Sequence, residues 1–328
     1  MQDHGVMMDI YNSLEEILNI EPTVTALGNF DGVHKGHREL IERAVRISKE
    51  MGIKSAVFTF SNHPKNLLTG SLSVKNILYP EDKAKIIERL GIDYLFSIPF
   101  NKDMMNMSPE DFTEKLLAEK LNCKAVVAGY NYRFGKAAKG TPLFMKKIGE
   151  EKGFGVSIID PVIVNGQVVS SSLIREFIRD GEMEQCFDFL GRFYSIGGTV
   201  VVGNQIGRTI GFPTSNILLD ESMVTPAHGV YITYCKYNGT VYPSITNVGL
   251  KPTIGDNKKT IETHIFNFNK ELYGKKIRVE FVKKTRSEVK FGSVEDLSKQ
   301  ILRDCNTAKE YHMKHPVENR CKRQEDLK

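Results

Sequence analysis

Between Thr23 and Ile159, short apolar runs alternate with segments in which apolar residues recur every three or four positions. Thr23–Leu27, Ser55–Phe60, Tyr94–Ile98, Ala125–Ala128 and Val156–Ile159 read as five strands. His37–Met51 places Leu40, Ala44, Ile47 and Met51 at helical spacing and stops at Gly52, and Pro80–Leu90 stops at Gly91. Ser108-Pro109-Glu110-Asp111 opens a further helix, with a capping Ser, a Pro in the first helical position and acids in the first turn. Apolar strands separated by amphipathic helices predict a doubly wound parallel sheet whose ligand sits at the carboxyl ends of the strands. The stretches Gly28–His37 and Ser61–Pro64 lie at such ends.

After residue 190 the period changes. Thr199–Val202, Val230–Tyr237, Val241–Val248, Ile261–Phe268 and Lys276–Val282 read as strands with little helix between them. Asn238-Gly239 has the composition of a type I′ hairpin turn, and Val294–His312 reads as a last helix. A compact antiparallel β-barrel closed by a terminal helix is the expectation, with Glu182–Leu190 as the link between halves. The expected division is 9–184 for an α/β domain, 185–312 for a barrel domain and 313–328 for a charged tail.

A chain of 328 residues exceeds what one hydrophobic core usually serves, in keeping with two domains. The net charge of +5 suits anionic ligands but is too weak and scattered to argue for nucleic acid. Five cysteines, Cys123, Cys186, Cys235, Cys305 and Cys321, form no CxxC pair and read as reduced thiols of a cytoplasmic protein. The acidic start MQDHGVMMDI is unlike a signal peptide, and no apolar run approaches a membrane span.

Candidate chemistry concentrates in the loop GNFDGVHKGH, residues 28–37. Gly28, Gly32 and Gly36 free the backbone to bend or to approach a ligand. A helix starting near His37 would aim its free amides at the loop, and His34 and His37 could donate to phosphate oxygens. Two alternatives are open: zinc held by His34, His37 and His63, and a purely structural turn. Ser170-Ser171-Ser172-Leu173-Ile174-Arg175 adds hydroxyls at another helix entrance and an Arg in its first turn, a second anion site. Together the two elements point to one triphosphate held from two sides.

The H-x-G-H loop and the downstream S-S-S-x-x-R resemble the nucleotidylyltransferase superfamily. The fuller G-x-F-D-G-V-H-x-G-H, followed by F-x-F-x-x-H-P, is similar to bacterial bifunctional riboflavin kinase/FAD synthetases. The resemblance implies that the loop grips ATP phosphates while FMN phosphate attacks the α-phosphorus and pyrophosphate leaves. By position, His34 and His37 would be catalytic on those phosphates. Gly28, Asn29, Phe30, Gly36, Ser171, Ser172 and Arg175 would hold the nucleotide, and His63, Asn131 and Arg133 would lie nearer the flavin. Members often carry a carboxylate at the place of Asn131, Thr at Ser172 and Arg at Leu173.

In the second half, Gly207-Arg208-Thr209-Ile210-Gly211-Phe212-Pro213-Thr214-Ser215-Asn216 could fold its amides over phosphates, with Thr214 and Asn216 as hard oxygen ligands for Mg²⁺. As an isolated pattern, a proline-capped turn explains it equally well. The string resembles the G-R-x-x-G-F-P-T-A-N segment of riboflavin kinases, with Ser215 for Ala; Asn247–Thr253, Ile261–Ile265 and Leu272–Gly274 agree in family order. The resemblance makes Gly207, Arg208 and Gly211 ATP-binding, Thr214 and Asn216 metal-binding, Arg286 flavin-binding and Glu262 the base on the ribityl 5′-hydroxyl. Strand alternation puts Glu262, His264 and Phe266 on one face.

The basic run Lys275, Lys276, Arg278, Lys283, Lys284 and Arg286 lacks aromatic stacking partners and reads as a solvated strand face. The resulting expectation is an ATP- and Mg²⁺-dependent enzyme that phosphorylates riboflavin to FMN and adenylylates FMN to FAD. It would be a monomer or weak homo-oligomer without nucleic-acid or membrane partners. The rivals are a single-activity enzyme with one degenerate domain and a flavin-sensing binder without turnover. Glu262, Thr214 and Asn216 together argue against the binder, which needs no base beside a metal site.

Overall fold

A computed structural model describes residues 7–203, 207, 211–253 and 256–317, with side chains of 250–259 excepted. Arg208 and most of the charged tail, with Cys321, lie outside the described residues. The chain divides into two compact units, 1–171 and 172–328.

The first unit is built on strands β1 (Asp9–Tyr11), β2 (Thr23–Leu27), β3 (Lys54–Phe60), β4 (Tyr94–Ile98), β5 (Cys123–Gly129) and β6 (Gly155–Ile159). They form one six-stranded sheet in the order β1-β4-β3-β2-β5-β6, with every pairing parallel. Alternate residues feed two separate cores. Val24, Ala26, Val57 and Leu95 pack with Leu40, Ile41 and Ala44 of helix α1 (Lys35–Met51) and with Ile87 of a helix over Pro80–Arg89. Leu27, Phe58, Phe96 and Val126 pack on the opposite face with Phe112, Leu116 and Met145. Both faces are therefore covered, which is why these strands read as apolar runs rather than alternations.

The sheet has one more strand than the sequence pattern predicts. β1 spans only three residues and none is fully buried, so it carries no apolar run; pairing with β4 alone defines it. The helix opened by Ser108 does form, with Ser108 Oγ accepting from the Asp111 amide at 2.9 Å. Beyond Asp111 it widens into a π-helix over Phe112–Lys120, which no local signal announces.

In the second unit, helices over Ser171–Asp180 and Met183–Leu190 precede a closed antiparallel barrel. Its strands are Tyr194–Val201, Ser215–Leu218, Gly229–Tyr237, Thr240–Thr253, Asp256–Ile265 and Lys276–Arg286. Asn238 and Gly239 both take positive φ, 47° and 78°, and close the predicted two-residue hairpin. Six strands replace the expected five. The added strand, Ser215–Leu218, starts within the last two residues of the Gly207–Asn216 string expected to fold over phosphates, and the first strand begins at Tyr194 rather than Thr199. Gly197-Gly198 hid that start: a Cβ on Gly198 would meet Ile217 Cγ2 at 2.6 Å, so the glycine is needed for strand packing.

Inside the barrel, Ser244, Thr233, Thr246 and Thr263 form a buried ladder of hydroxyl contacts at 2.8, 2.8 and 2.9 Å. Outside it, the C-terminal helix (Val294–Lys314) lays Cys305 and Ala308 against Val230, Ile232, Ile245 and Phe266. His312 on that helix donates Nε2–H to the Ser244 carbonyl at 3.2 Å, a carbonyl being only an acceptor. Its Nδ1 is buried without a hydrogen-bond partner among the described residues. Burial holds its pKa below the usual 6.5 against the pull of that carbonyl. The unfolded chain therefore binds this proton first, so stability present at pH 7 is lost as pH falls from 6.5 through the folded value. Thermal unfolding of the barrel is expected to shift down between pH 7 and 5, and less so in His312→Leu.

Candidate functional site

Strand order reverses at β2, whose neighbours are β3 on one side and β5 on the other. Such a switch point opens a crevice beyond the carboxyl ends of the strands. A cavity of about 800 Å³ lies there. Gly28, Asn29, His34, Gly36 and His37 line it after β2, and Gly129, Asn131 and Arg133 after β5. His63 and Ser171 also reach it.

The loop after β2 is tightly built. Phe30 and Val33 take φ of 48° and 34° and are fully buried, so packing holds a backbone that a β-branched residue ordinarily avoids. The Phe30 ring folds back to 3.1 Å from where a Cβ on Gly28 would stand. Phe30 is thus a core residue that supports the site, with its ring centroid 5.1 Å from that of His37, and not a side chain offered to nucleotide.

Helix α1 begins at Lys35, two residues before the expected start, because His34 is its cap. His34 Nδ1 accepts from the His37 amide at 3.1 Å. That amide is consequently spent on the cap and not aimed at a ligand. With Nδ1 accepting, a neutral His34 carries its proton on Nε2. A Cβ on Gly36 would stand 3.3 Å from this imidazole, so glycine makes room for it. The His34 and His37 rings stack at 3.6 Å and 13°. His34→Ala is expected to lower thermal stability by about 1 kcal/mol relative to His34→Asn, which keeps a cap.

His63 caps a helix over Pro64–Thr69, its Nδ1 accepting from the Lys65 amide at 3.2 Å. Ser171 Oγ donates to the Asp31 carbonyl at 2.8 Å, which ties the serine run to the histidine loop. Ser172 and a buried Arg175 continue that helix in the second unit. Asn131 and Arg133 are exposed at the end of β5, and Arg133 Nη1 donates to the Tyr132 carbonyl at 2.9 Å. Tyr132 and Phe134, in the Asn131–Gly135 segment expected near the flavin, form an apolar wall of the cavity with Phe60, Phe100 and Phe112, and those three are the residues missed in the sequence. Their scattered positions carry no common signal before folding.

The barrel holds a second arrangement. Register sets Asn216, Glu262 and Asn247 side by side on three adjacent strands. Directly opposed residues project to the same face. Glu262 and Asn247 line a cavity of about 280 Å³ between the barrel wall and the C-terminal helix, together with Gly207, Thr214, His264, Arg286 and Asp304. Asn216 and Thr214 line an adjoining cavity of about 350 Å³. Asn216 is buried, and its Oδ1 has no hydrogen-bond partner among the described residues. A buried carboxamide oxygen left unsatisfied beside a hydroxyl and near a carboxylate fits a hard cation.

Gly207 accepts from the Phe212 amide at 2.7 Å, and a Cβ there would collide with the Phe212 carbonyl. Gly211 takes φ of 86°. His264 donates Nδ1–H to the Pro213 carbonyl at 2.8 Å, and burial lowers its pKa, which favours neutral imidazole in the pocket. Arg286 spends one edge on Asp304, with Nη2 at 2.7 Å and Nε at 3.0 Å from Oδ2. The rest of the basic run divides: Lys283 contacts Glu184, Arg278 contacts Ser195, Lys284 is half-buried, and Lys275 and Lys276 are exposed.

A pocket at the switch point of a parallel sheet, joined in one chain to a barrel with a carboxylate beside hard oxygen donors, defines a two-site nucleotide-using class. Residues 17–173 match the FAD synthetase family and residues 190–312 the riboflavin kinase family. A Bacillus subtilis (strain 168) protein named bifunctional riboflavin kinase/FMN adenylyltransferase is 38% identical over 293 residues, covering 88% of this chain and 92% of its own. A Listeria monocytogenes relative of the same name is 35% identical, covering 92% and 94%. A crystal structure described as a macrolide-efflux protein from Streptococcus pneumoniae is 30% identical with a TM-score of 0.85, covering 93% of this chain and 99% of its own. Among the described residues no helix is long and apolar enough to cross a membrane. The chain belongs to the bifunctional riboflavin kinase/FMN adenylyltransferase family.

Proposed function

We propose that the barrel, residues 185–312, phosphorylates riboflavin with ATP and that the α/β domain, residues 9–184, adenylylates the FMN so formed. The observation that carries the kinase half is the register of Glu262 opposite Asn216. Glu262 takes the proton of the ribityl 5′-hydroxyl as its oxygen bonds the γ-phosphorus and ADP leaves. Thr214 and the unsatisfied Oδ1 of Asn216 would hold Mg²⁺, which neutralises charge on the ATP phosphates. Gly207 and Gly211 would cradle those phosphates, a role the resemblance extends to Arg208, while His264 and the Arg286–Asp304 pair flank the flavin pocket.

In the α/β domain an FMN phosphate oxygen bonds the α-phosphorus as pyrophosphate leaves. The Nε2–H of His34 and the His37 ring stabilise charge that builds on the triphosphate, with Asn29, Ser171, Ser172 and Arg175 holding the nucleotide. The aromatic wall and His63, Asn131 and Arg133 receive the flavin. Four described cysteines are buried free thiols, which supports work in the reducing cytoplasm.

Incubation of the purified protein with riboflavin, ATP and Mg²⁺, followed by chromatography, tests both halves. FMN appearing first and FAD second supports the reading. FMN alone overturns the adenylyl half, and absence of both overturns the whole.

A further inference from the structure

Lys83 stands in the first turn of the helix over Pro80–Arg89, yet it is only 9% exposed. Lysines ordinarily keep the ammonium in water, and burying one costs several kcal/mol, on the order of that for any small ion, unless partners surround it. Its partners are unusual in where they lie. Nζ donates to Thr59 Oγ1 at 3.3 Å and to the Phe60 carbonyl at 3.1 Å. Thr59 Oγ1 donates in turn to the Asn29 carbonyl at 2.9 Å.

Phe60 ends β3 and leads into Ser61-Asn62-His63, while Asn29 begins the histidine loop after β2. The ammonium thus holds the end of β3, where one of the two loops that bound the adenylyl pocket begins, and through the Thr59 hydroxyl it reaches the start of the other. Asp31, also buried, provides the opposing charge. Its Oδ1 accepts from the Ile77 and Leu78 amides at 2.9 and 3.3 Å, and its carbonyl accepts from Ser171. A cavity of about 30 Å³, lined by Asn29, Asp31, His63 and Lys83 among others, lies at this junction. Asn29, Phe60 and His63 line the large pocket as well, so Lys83 sits directly behind its wall.

We infer that Lys83 is a positioning residue for adenylyl transfer, its ammonium clamping the Asn29–Asp31 and Ser61–His63 segments so that the phosphate-binding groups keep one geometry. The inference rests on the adenylyl reading of this pocket. A neutral side chain of equal length would fill the space without the desolvation cost, so packing by itself does not call for the charge. The ionisable groups around it are Asp31 and His63 across the small cavity and Glu81 and Asp82 on its own helix. Burial lowers its pKa to about 8, against the pull of Asp31. The clamp is therefore charged at neutral pH and loses its charge as pH rises through that value.

The same chain offers an internal control, because riboflavin phosphorylation uses the other pocket. In wild type, kcat/KM for FAD formation from supplied FMN is expected to decline above pH about 8, while FMN formation shows no matching decline. Lys83→Met should lower kcat for FAD formation by about a hundredfold through misplacement of the loops, leaving FMN formation unchanged. Lys83→Arg cannot deprotonate, so it should keep more activity than Lys83→Met and shift the alkaline decline to higher pH. A flat wild-type profile from pH 7 to about 9.5, a range that brackets the lysine titration, overturns the inference without any variant. So does an unshifted decline in Lys83→Arg, or full activity in Lys83→Met. Absence of FAD from wild type under all conditions would instead overturn the adenylyl reading itself.

Discussion

Glu262→Gln is expected to abolish FMN formation from riboflavin and ATP while leaving conversion of supplied FMN to FAD intact. Glutamine keeps the volume and an acceptor oxygen, so the pairing of its strand with Asn216 and Asn247 should persist. What disappears is the carboxylate that strand register sets opposite Asn216. A positioned general base typically contributes about 10²–10⁴-fold, which sets the expected loss in kcat. Riboflavin binding, followed by quenching of flavin fluorescence, should change little. A variant that still phosphorylates within an order of magnitude of wild type would remove Glu262 from the role of base. Equal loss of both activities would overturn the division of labour between the two pockets.

His37→Ala is the converse experiment. The His37 ring stacks on His34 at 3.6 Å and packs 5.1 Å from the Phe30 centroid, so its imidazole is held at the mouth of the helix. Removing one preorganised donor from a site where charge develops costs about 10²–10³-fold in kcat. FAD formation should fall by that much while FMN formation is unaffected. The His37 amide remains, so the cap donated to His34 Nδ1 survives and helix α1 should keep its start. FAD formation at the wild-type rate would show that the ring is a packing element only.

Much of this arrangement was legible before folding because it is local. The GNFDGVHKGH loop, the Asn238-Gly239 turn and the Ser108 cap each depend on a few consecutive residues with definite backbone preferences. The helix start was misplaced by two residues because a histidine is an uncommon cap; its Nδ1 takes over a task ordinarily given to Ser, Thr, Asp or Asn. Strands β1 and Ser215–Leu218 escaped notice for a different reason. The first is three residues long, and the second starts at the end of a string whose glycines and proline read as a loop. Both exist through pairing with distant partners, and periodicity within the segment carries no record of that pairing.

The amino-acid sequence by itself determined the parallel α/β and antiparallel β classes of the two halves, which follow from periodicity and short motifs in which neighbours along the chain are neighbours in space. The assignment of an activity to each half followed from the resemblance of those motifs to a known family. Only the tertiary structure decided that Glu262 stands opposite Asn216, that Phe60, Phe100 and Phe112 join the Tyr132–Phe134 segment in one wall, and that Lys83 is buried behind the histidine loop. Those juxtapositions depend on strand register and on which faces of the sheet its helices cover. Both are settled by the joint packing of the whole domain, and a window along the chain contains neither.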